Sequence, residues 1–197
     1  MKNKILIFSI FLFSFIPKQT SKNKEIEFRV LNKSLKDSTE VEIQVTNFSK
    51  FNYYLLLDTN GLKEKLAPFQ SSCYLSTVFL GIIDSKNKNI GLQLNDLDIV
   101  YPERKFFFVK DLFKLKSGEK KTFKMPFKLK TIINEYVWLE YKVDKSKLYS
   151  TKVEYNIQNK FMQNILSKPT KDSLQKMGYK LYNKQIISNK IPLVLAK

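Results

Sequence analysis

Residues 41–49 are Val-Glu-Ile-Gln-Val-Thr-Asn-Phe-Ser, and residues 52–58 are Asn-Tyr-Tyr-Leu-Leu-Leu-Asp. In the first segment apolar residues alternate with charged or polar ones, the period of a β-strand with one buried and one solvated face. The second segment is apolar on both faces, which predicts a central strand, and the turn signal Asn60-Gly61 follows it. Together they predict an antiparallel sheet packed on a core.

The same period of two recurs along most of the chain, whereas helical spacing is rare. Turns are predicted at Asp84–Asn89 and at Ser117-Gly118. Pro126 has no backbone N–H, so its strand is expected at a sheet edge or at a bulge. The 16 Phe and 10 Tyr also favour strands, because aromatic side chains suit a pleated, half-buried surface. Further strands are predicted within 26–30, 74–83, 90–94, 106–109, 123–129, 137–143 and 153–157.

Past residue 159 the pattern changes. The apolar residues of 161–166 have helical spacing that Pro169 is expected to end, and a short helix is predicted over Lys171–Met177. Thr170 is its expected cap and Gly178 its stop. Strand composition returns at 179–182 and 185–195. The predicted organisation is a signal segment at 1–18, a β-sandwich domain at 19–158, and a C-terminal extension at 159–197 packed on the same domain.

The N-terminus has the pattern of a secretion signal. A basic start, Met1-Lys2-Asn3-Lys4, precedes the uncharged stretch Ile5–Ile16. As a helix this stretch spans about 18 Å, too short for the hydrocarbon core of a bilayer, so no transmembrane helix is predicted. The expected location is exported: periplasmic, secreted or associated with the cell envelope. A small-residue cleavage site is missing, so an uncleaved anchor stays an alternative, as does a buried N-terminal strand or helix.

Cys73 is the chain's single cysteine, so no internal disulfide can form in an oxidising compartment. The preferred interpretation is a small buried hydrophobic residue. An intermolecular bridge or a reactive thiol is the alternative.

The formal net charge is +17 at pH 7, and removing Lys2, Lys4 and Lys18 with the signal leaves +14. Such a charge indicates nucleic acid, anionic lipid or acidic glycans as partners. The competing explanation is base bias, since Lys accompanies abundant Asn, Ile, Phe and Tyr. Arg29 and Arg104 are the only arginines, although arginine is favoured where phosphate is recognised. No nucleic-acid motif is present, and the densest basic group is Lys114, Lys116, Lys120 and Lys121.

Two stretches resemble bacterial immunoglobulin-like β-sandwich domains in general. One is 41–49 followed by 53–58, in which an alternating strand ends in Asn-x-Ser before an apolar strand. The other is Leu115–Glu119 followed by 122–129, which is similar to the Gly-Glu turn entering a later strand of such domains. The resemblance implies an immunoglobulin-like antiparallel sandwich over about 25–157. Trp138 has no disulfide to pack against, which excludes the antibody type.

The chain contains no histidine, which removes Ser-His-Asp and Cys-His catalysis and His-ligated zinc. We therefore predict no catalytic, cofactor-binding or metal-ligating residue, no cofactor and no enzyme activity. Asp96 and Asp98 near Glu103 are weighed as paired carboxylates, and a polar loop is preferred. The tract 84–91 does not fit a calcium loop, because Lys86, Lys88 and Ile90 replace the ligands.

Two kinds of surface remain as candidates for recognition. Tyr136 and Trp138 either stack on a sugar or pack beneath the C-terminal extension, which is preferred. Asn32-Lys33-Ser34 and Asn47-Phe48-Ser49 match N-glycosylation sites, which have meaning only in a eukaryotic secretory pathway.

The leading functional hypothesis is an exported, non-enzymatic β-sandwich that binds a partner protein or an envelope component. The alternative is a polyanion- or glycan-binding module that uses the basic surface. The third and least favoured hypothesis is an enzyme that acts through Asp96 and Asp98.

Overall fold

The computed structural model describes residues 24–58, 78–95, 112–132, 138–157 and 166–196. The first strands within these ranges are β1 (Ile26–Val30), β2 (Leu35–Lys36), β3 (Thr39–Asn47), β4 (Asn52–Asp58), β5 (Val78–Asp84), β6 (Asn89–Ile90), β7 (Leu92–Asn95) and β8 (Leu112–Leu115). They are followed by β9 (Lys120–Phe127), β10 (Lys130–Ile132), β11 (Trp138–Tyr141), β12 (Tyr149–Tyr155), helix α1 (Lys168–Lys176), β13 (Tyr179–Leu181), β14 (Ile186–Ile187) and β15 (Ile191–Val194).

The predicted antiparallel β-sandwich with one short helix and C-terminal strands is confirmed. The first sheet has the order β1-β3-β9, and both pairings are antiparallel. Val41, Ile43 and Val45 lie on its buried face, while Glu42 and Gln44 between them are partly exposed. The alternation in the sequence therefore places one face of β3 in the core. Pro126 lies in β9, an edge strand of this sheet, as expected.

The second sheet has the order β2-β15-β12-β5-β6, with β14 also pairing with β12. Its long central pair is β12 with β5, in antiparallel register from Tyr149 opposite Asp84 to Tyr155 opposite Val78. The predicted turn after β5 forms here, since Oδ1 of Asp84 accepts hydrogen bonds from the backbone N–H groups of Lys86 and Lys88, both at 2.8 Å. Asp84 thus caps a turn.

Two smaller sheets complete the sandwich. In one, β4 lies between β13 and β8, and all of its side chains from Tyr53 to Leu57 are buried, which confirms the predicted central strand. In the other, β11 lies between β10 and β7. The turn between β8 and β9 also forms as predicted, with Gly118 at a φ of +72°, a conformation that L-residues adopt at a cost.

The helix begins earlier than the sequence predicts. It spans Lys168–Lys176, and its cap is Ser167, whose side chain accepts a hydrogen bond from the backbone N–H of Thr170. Pro169, which was expected to end a helix, lies in the first turn of this one, where its missing N–H removes no intrahelical bond. Gly178 follows with a φ of +78° and ends the helix as expected.

One hydrophobic core joins the sheets and the C-terminal segment. The ring of Phe28 in β1 lies 6.1 Å from those of both Phe123 in β9 and Tyr155 in β12, so it bridges the first and second sheets. The Tyr155 hydroxyl donates to the carbonyl oxygen of Tyr182 at 3.0 Å and accepts from the N–H of Leu56 at 3.3 Å. Among the described residues after 165, six belong to this core: Leu166, Leu174, Tyr182, Ile186, Ile191 and Leu193.

Candidate functional site

An apolar groove of about 240 Å³ opens where the edges of the first and second sheets meet the small β10-β11-β7 sheet. It is lined by residues of β5, β6, β7, β9, β10 and β11 and by Lys128. Its lining includes the side chains of Leu80, Leu92, Met125, Phe127, Leu139 and Tyr141.

Strand pairing explains why the groove is open. On the first sheet β9 is an edge, and Pro126 within the groove lining has no N–H with which to recruit a further strand. On the second sheet β6 pairs only with Ile82 and Ile83 of β5. Among the described residues, no strand therefore pairs with Phe79–Gly81 on the side away from β12. Two sheet edges face one apolar space.

Tyr141 is the main polar group in the lining. Its hydroxyl donates to the carbonyl oxygen of Leu80 at 2.7 Å, and burial raises the pKa of Tyr141 to about 12. The hydroxyl therefore stays protonated at neutral pH and acts as a fixed hydrogen-bond donor. This bond links β11 to β5 across the groove and leaves mainly apolar surface for an occupant.

The groove has no machinery for acid–base or nucleophilic catalysis among the described residues. Lys128 is the one charged residue among those that line it, and the lining includes no carboxylate. Within the described ranges, no group of three or more Cys, Asp or Glu residues is placed to hold a metal ion. What the site offers chemically is burial of apolar side chains.

Shifted pKa values elsewhere have structural causes. For Glu119, burial alone would raise the pKa, but hydrogen bonds from the N–H of Lys116 and from Lys121, with the charges of those lysines, lower it on balance. The hydrogen bond from the Ser146 hydroxyl lowers the pKa of Asp144, which is also bound by Lys147. These carboxylates stabilise turns.

Several residues weighed from the sequence lie outside the described residues: the signal segment 1–18, Cys73, Asp96, Asp98, Glu103 and Tyr136. Trp138 is described and half-buried in β11, with Nζ of Lys130 4.9 Å from its ring centroid. Its neighbour Leu139 lines the groove, so alternation along the strand directs Trp138 to the other face. Lys130 of the neighbouring strand β10 therefore lies over the ring of Trp138.

The densest basic group, around the β8–β9 turn, is partly engaged by local contacts. Nζ of Lys121 donates to the carbonyl oxygen of Lys114 at 2.6 Å and lies 3.2 Å from a carboxylate oxygen of Glu119. Lys124 pairs with Glu40 across the solvated face of the first sheet at 3.4 Å. Part of the excess charge is thus engaged locally.

Sequence reasoning missed the groove, because it depends on which strands remain edges. The signal available was Pro126, which predicted an edge at β9. Nothing local marks the start of β5 as the second edge, since that depends on how short β6 is.

No protein-family model matches this chain, and no curated protein matches it in sequence. Solved structures do resemble it. One is the Salmonella enterica SafA pilin in complex with the SafB chaperone, at 7% identity and a TM-score of 0.29, covering 89% of this chain and 55% of the other. The chain thus spans about half the length of that protein chain.

The second is the ASH / PapD-like domain 7 of human CEP192, at 10% identity and a TM-score of 0.22, covering 100% of this chain and 99% of the other. The likeness to both structures is distant and assigns the chain to no family. Within the described residues, no helix has the length and apolar character needed to cross a membrane.

Proposed function

We propose that this protein is an exported, non-enzymatic binding module that holds an apolar segment of a partner protein in the groove. The observation that carries the proposal is the groove itself: about 240 Å³ of mainly apolar space between two sheet edges. An extended segment can place alternate side chains against Met125 and Phe127 on one wall and against Leu80 on the other. The signal pattern at 1–18 supports export.

Peptide selection tests the proposal. A displayed library of random peptides is selected on the intact protein, and binders are measured by titration. We expect peptides with alternating apolar residues. A carboxylate at the rim, in the Leu92→Asp or Phe79→Asp variant, should weaken them by about tenfold or more, because it would have to be desolvated on binding.

The matched control is Leu148→Asp, since Leu148 is 82% exposed and lies in the turn before β12 rather than in the groove lining. It makes the same apolar-to-carboxylate change and should keep the affinity unchanged. Failure to select any groove-dependent peptide, or equal losses in all three variants, would contradict the proposal. Turnover in a broad hydrolase screen would contradict its non-enzymatic part.

Polyanion or glycan binding at the groove is the less favoured function. A groove that tracks a phosphate or sulfate backbone needs several cations, and Lys128 is the one charged residue among those that line this groove. We expect that heparin does not compete with groove-bound peptide and that the binding of heparin does not depend on Leu92.

A further inference from the structure

A second surface lies at the opposite end of β9. Three segments meet there: the loop Phe48–Phe51, the turn Lys116–Gly118, and the stretch Lys176–Lys180 that leads from α1 into β13. We call this surface the basic tip. Because β9 begins just after the tip and ends at the groove, and its eight residues span roughly 25 Å, an occupant of one surface leaves the other open.

Hydrogen bonds hold the three segments of the basic tip together. The Ser117 hydroxyl donates to the carbonyl oxygen of Ser49 at 2.7 Å, and the Ser117 N–H donates to Oδ1 of Asn52 at 2.9 Å. Asn52 also lies opposite Tyr179 in the parallel pairing of β4 with β13. The segments are therefore fixed relative to one another.

The basic tip presents large apolar side chains to water. Phe48 is 63% exposed, Met177 is 45% exposed and Phe51 is 37% exposed. The loop is held from beneath by Asn47, whose amide donates to the carbonyl oxygen of Phe51 at 2.7 Å. Since this bond fixes the backbone between the two phenylalanines, their exposed rings lie on a loop of fixed conformation.

Lysines lie close to one of these rings, that of Phe51. Nζ of Lys180 lies 4.0 Å from the ring centroid of Phe51, and Nζ of Lys50 lies 5.6 Å from it. Lys116 and Lys176 are exposed on the other two segments. The three segments contain no carboxylate.

Two carboxylates that adjoin the basic tip are already engaged. Glu25 adjoins the loop, since its carbonyl oxygen accepts from the N–H of Phe48, and its side chain binds Nζ of Lys184 at 2.7 Å. Glu119 is bound by Lys121 at 3.2 Å and by the N–H of Lys116 at 2.6 Å. The positive charge of the basic tip therefore has no free acidic neighbour among these groups.

We infer that the basic tip docks on the surface of a membrane rich in anionic lipids. Phenylalanine and methionine enter the region between headgroups and acyl chains, while the lysine ammonium groups contact lipid phosphates. Exposed apolar side chains, together with Lys50, Lys116, Lys176 and Lys180 on the same three segments and no carboxylate within them, match the charge and polarity of such a surface. A soluble polyanion would use the lysines without needing exposed Phe48.

Vesicle binding by the full chain tests the inference. Vesicles of phosphatidylglycerol and phosphatidylcholine in equal parts should bind the protein, and vesicles of phosphatidylcholine alone should bind it much more weakly. The Phe48→Ser/Phe51→Ser variant should lose about tenfold or more in affinity, because both rings no longer enter the membrane. The Lys50→Gln/Lys180→Gln variant should lose about fivefold for each lysine at low salt.

Matched controls lie at the far end of β12, in the turn that precedes it. Leu148→Ser removes an apolar side chain of even greater exposure, and Lys142→Gln/Lys145→Gln removes two exposed lysines. Both should bind vesicles like the parent protein. Equal losses in control and tip variants would overturn the inference in favour of non-specific attraction by net charge.

Insertion has a direct optical readout. Trp138 is the chain's one tryptophan, so in a Trp138→Phe background a new tryptophan reports its own surroundings. Brominated phosphatidylglycerol should quench the emission of Phe48→Trp and leave that of Leu148→Trp unchanged. Vesicle binding without quenching at position 48 would overturn the inference. The inference would also be overturned if heparin bound the protein as the vesicles do and the binding did not depend on Phe48.

Discussion

Asn47 organises one end of the sandwich from a fully buried position. Its amide nitrogen donates to the carbonyl oxygens of Phe51 and Lys116, at 2.7 and 3.0 Å. Its Oδ1 accepts from both the N–H and the hydroxyl of Ser49, at 3.0 and 2.7 Å. The side chain thus meets its hydrogen-bonding needs inside the protein, which a buried amide requires. The triplet Asn47-Phe48-Ser49, which matches a glycosylation site, therefore has a structural role in the fold.

Asn47→Ala should lower the free energy of unfolding by about 2 kcal/mol, because it leaves backbone groups of the loop and the β8–β9 turn without partners. Denaturant unfolding measures the loss. Asn32→Ala is the matched control, since Asn32 also bonds two backbone groups, those of Glu40 and Glu42, but at a partly exposed position where water can replace it. A loss at Asn47 no larger than that at Asn32 would contradict this account.

At the scale of single elements, the helix shows how a local signal misleads. Thr170 and Ser167 both fit the composition of a cap, and the apolar pattern around Leu174 does not distinguish them. The sequence predicts Thr170 as the cap, because Pro169 is expected to stop a helix. In the structure Pro169 lies in the first turn, where proline is favoured, so the cap moves to Ser167.

A pair of alanine variants tests this correction. Ser167→Ala should lower the free energy of unfolding by about 1 kcal/mol, because the N–H of Thr170 loses its acceptor. Thr170→Ala should cost clearly less, since its hydroxyl bonds only to the Ser167 hydroxyl among the groups described. The fully buried Leu174 couples the helix to the core, so thermal unfolding of the whole domain reports both changes. The reverse order of costs would restore Thr170 as the cap.

Strands were predictable where one side chain in two is buried, as at Val41, Ile43 and Val45, since that alternation is a local property of the sequence. The central position of β4 was predictable for a similar reason, because both of its faces are apolar. The groove was not. It depends on where the pairing of β5 and β9 ends within the described part of the chain, and pairing partners distant in sequence leave little local trace.

At the scale of the whole molecule, net charge was the least informative property. Lysine is in excess, but the individual lysines differ in their surroundings. Lys121 and Lys124 pair with carboxylates. Lys50 and Lys180 lie close to the exposed ring of Phe51. Which lysines remain available is set by the turns that meet in space. The formal charge indicated anionic partners without indicating a surface, and only the fold separates an apolar groove at one end from a basic tip at the other.

Two tyrosines with raised pKa values give the domain a defined response to alkaline pH. Burial raises the pKa of Tyr141 from 10.0 to about 12, and burial also raises the pKa of Tyr155, despite the N–H of Leu56 that favours its ionised form. A raised folded-state pKa means that the unfolded chain releases these protons first. The part of the unfolding free energy that depends on these tyrosines is therefore fully present below pH 10 and is lost as the pH rises towards and through 12. A paired carboxylate has the opposite effect, since its contribution is lost as the pH falls.

Tyr141→Phe isolates one part of that response. By pH 12 the parent protein should have lost about 2 kcal/mol of unfolding free energy through Tyr141, since each unit of pKa shift corresponds to about 1.4 kcal/mol. The variant starts lower at neutral pH by about 1 kcal/mol, because the bond to the Leu80 carbonyl oxygen is gone. It should then fall less steeply above pH 10, so that the two curves cross between pH 10 and 12. Parallel curves in denaturant titrations between pH 9 and 12 would show that the Tyr141 hydroxyl ionises as readily in the folded domain as in the unfolded chain, and that the groove is wetter than its lining implies.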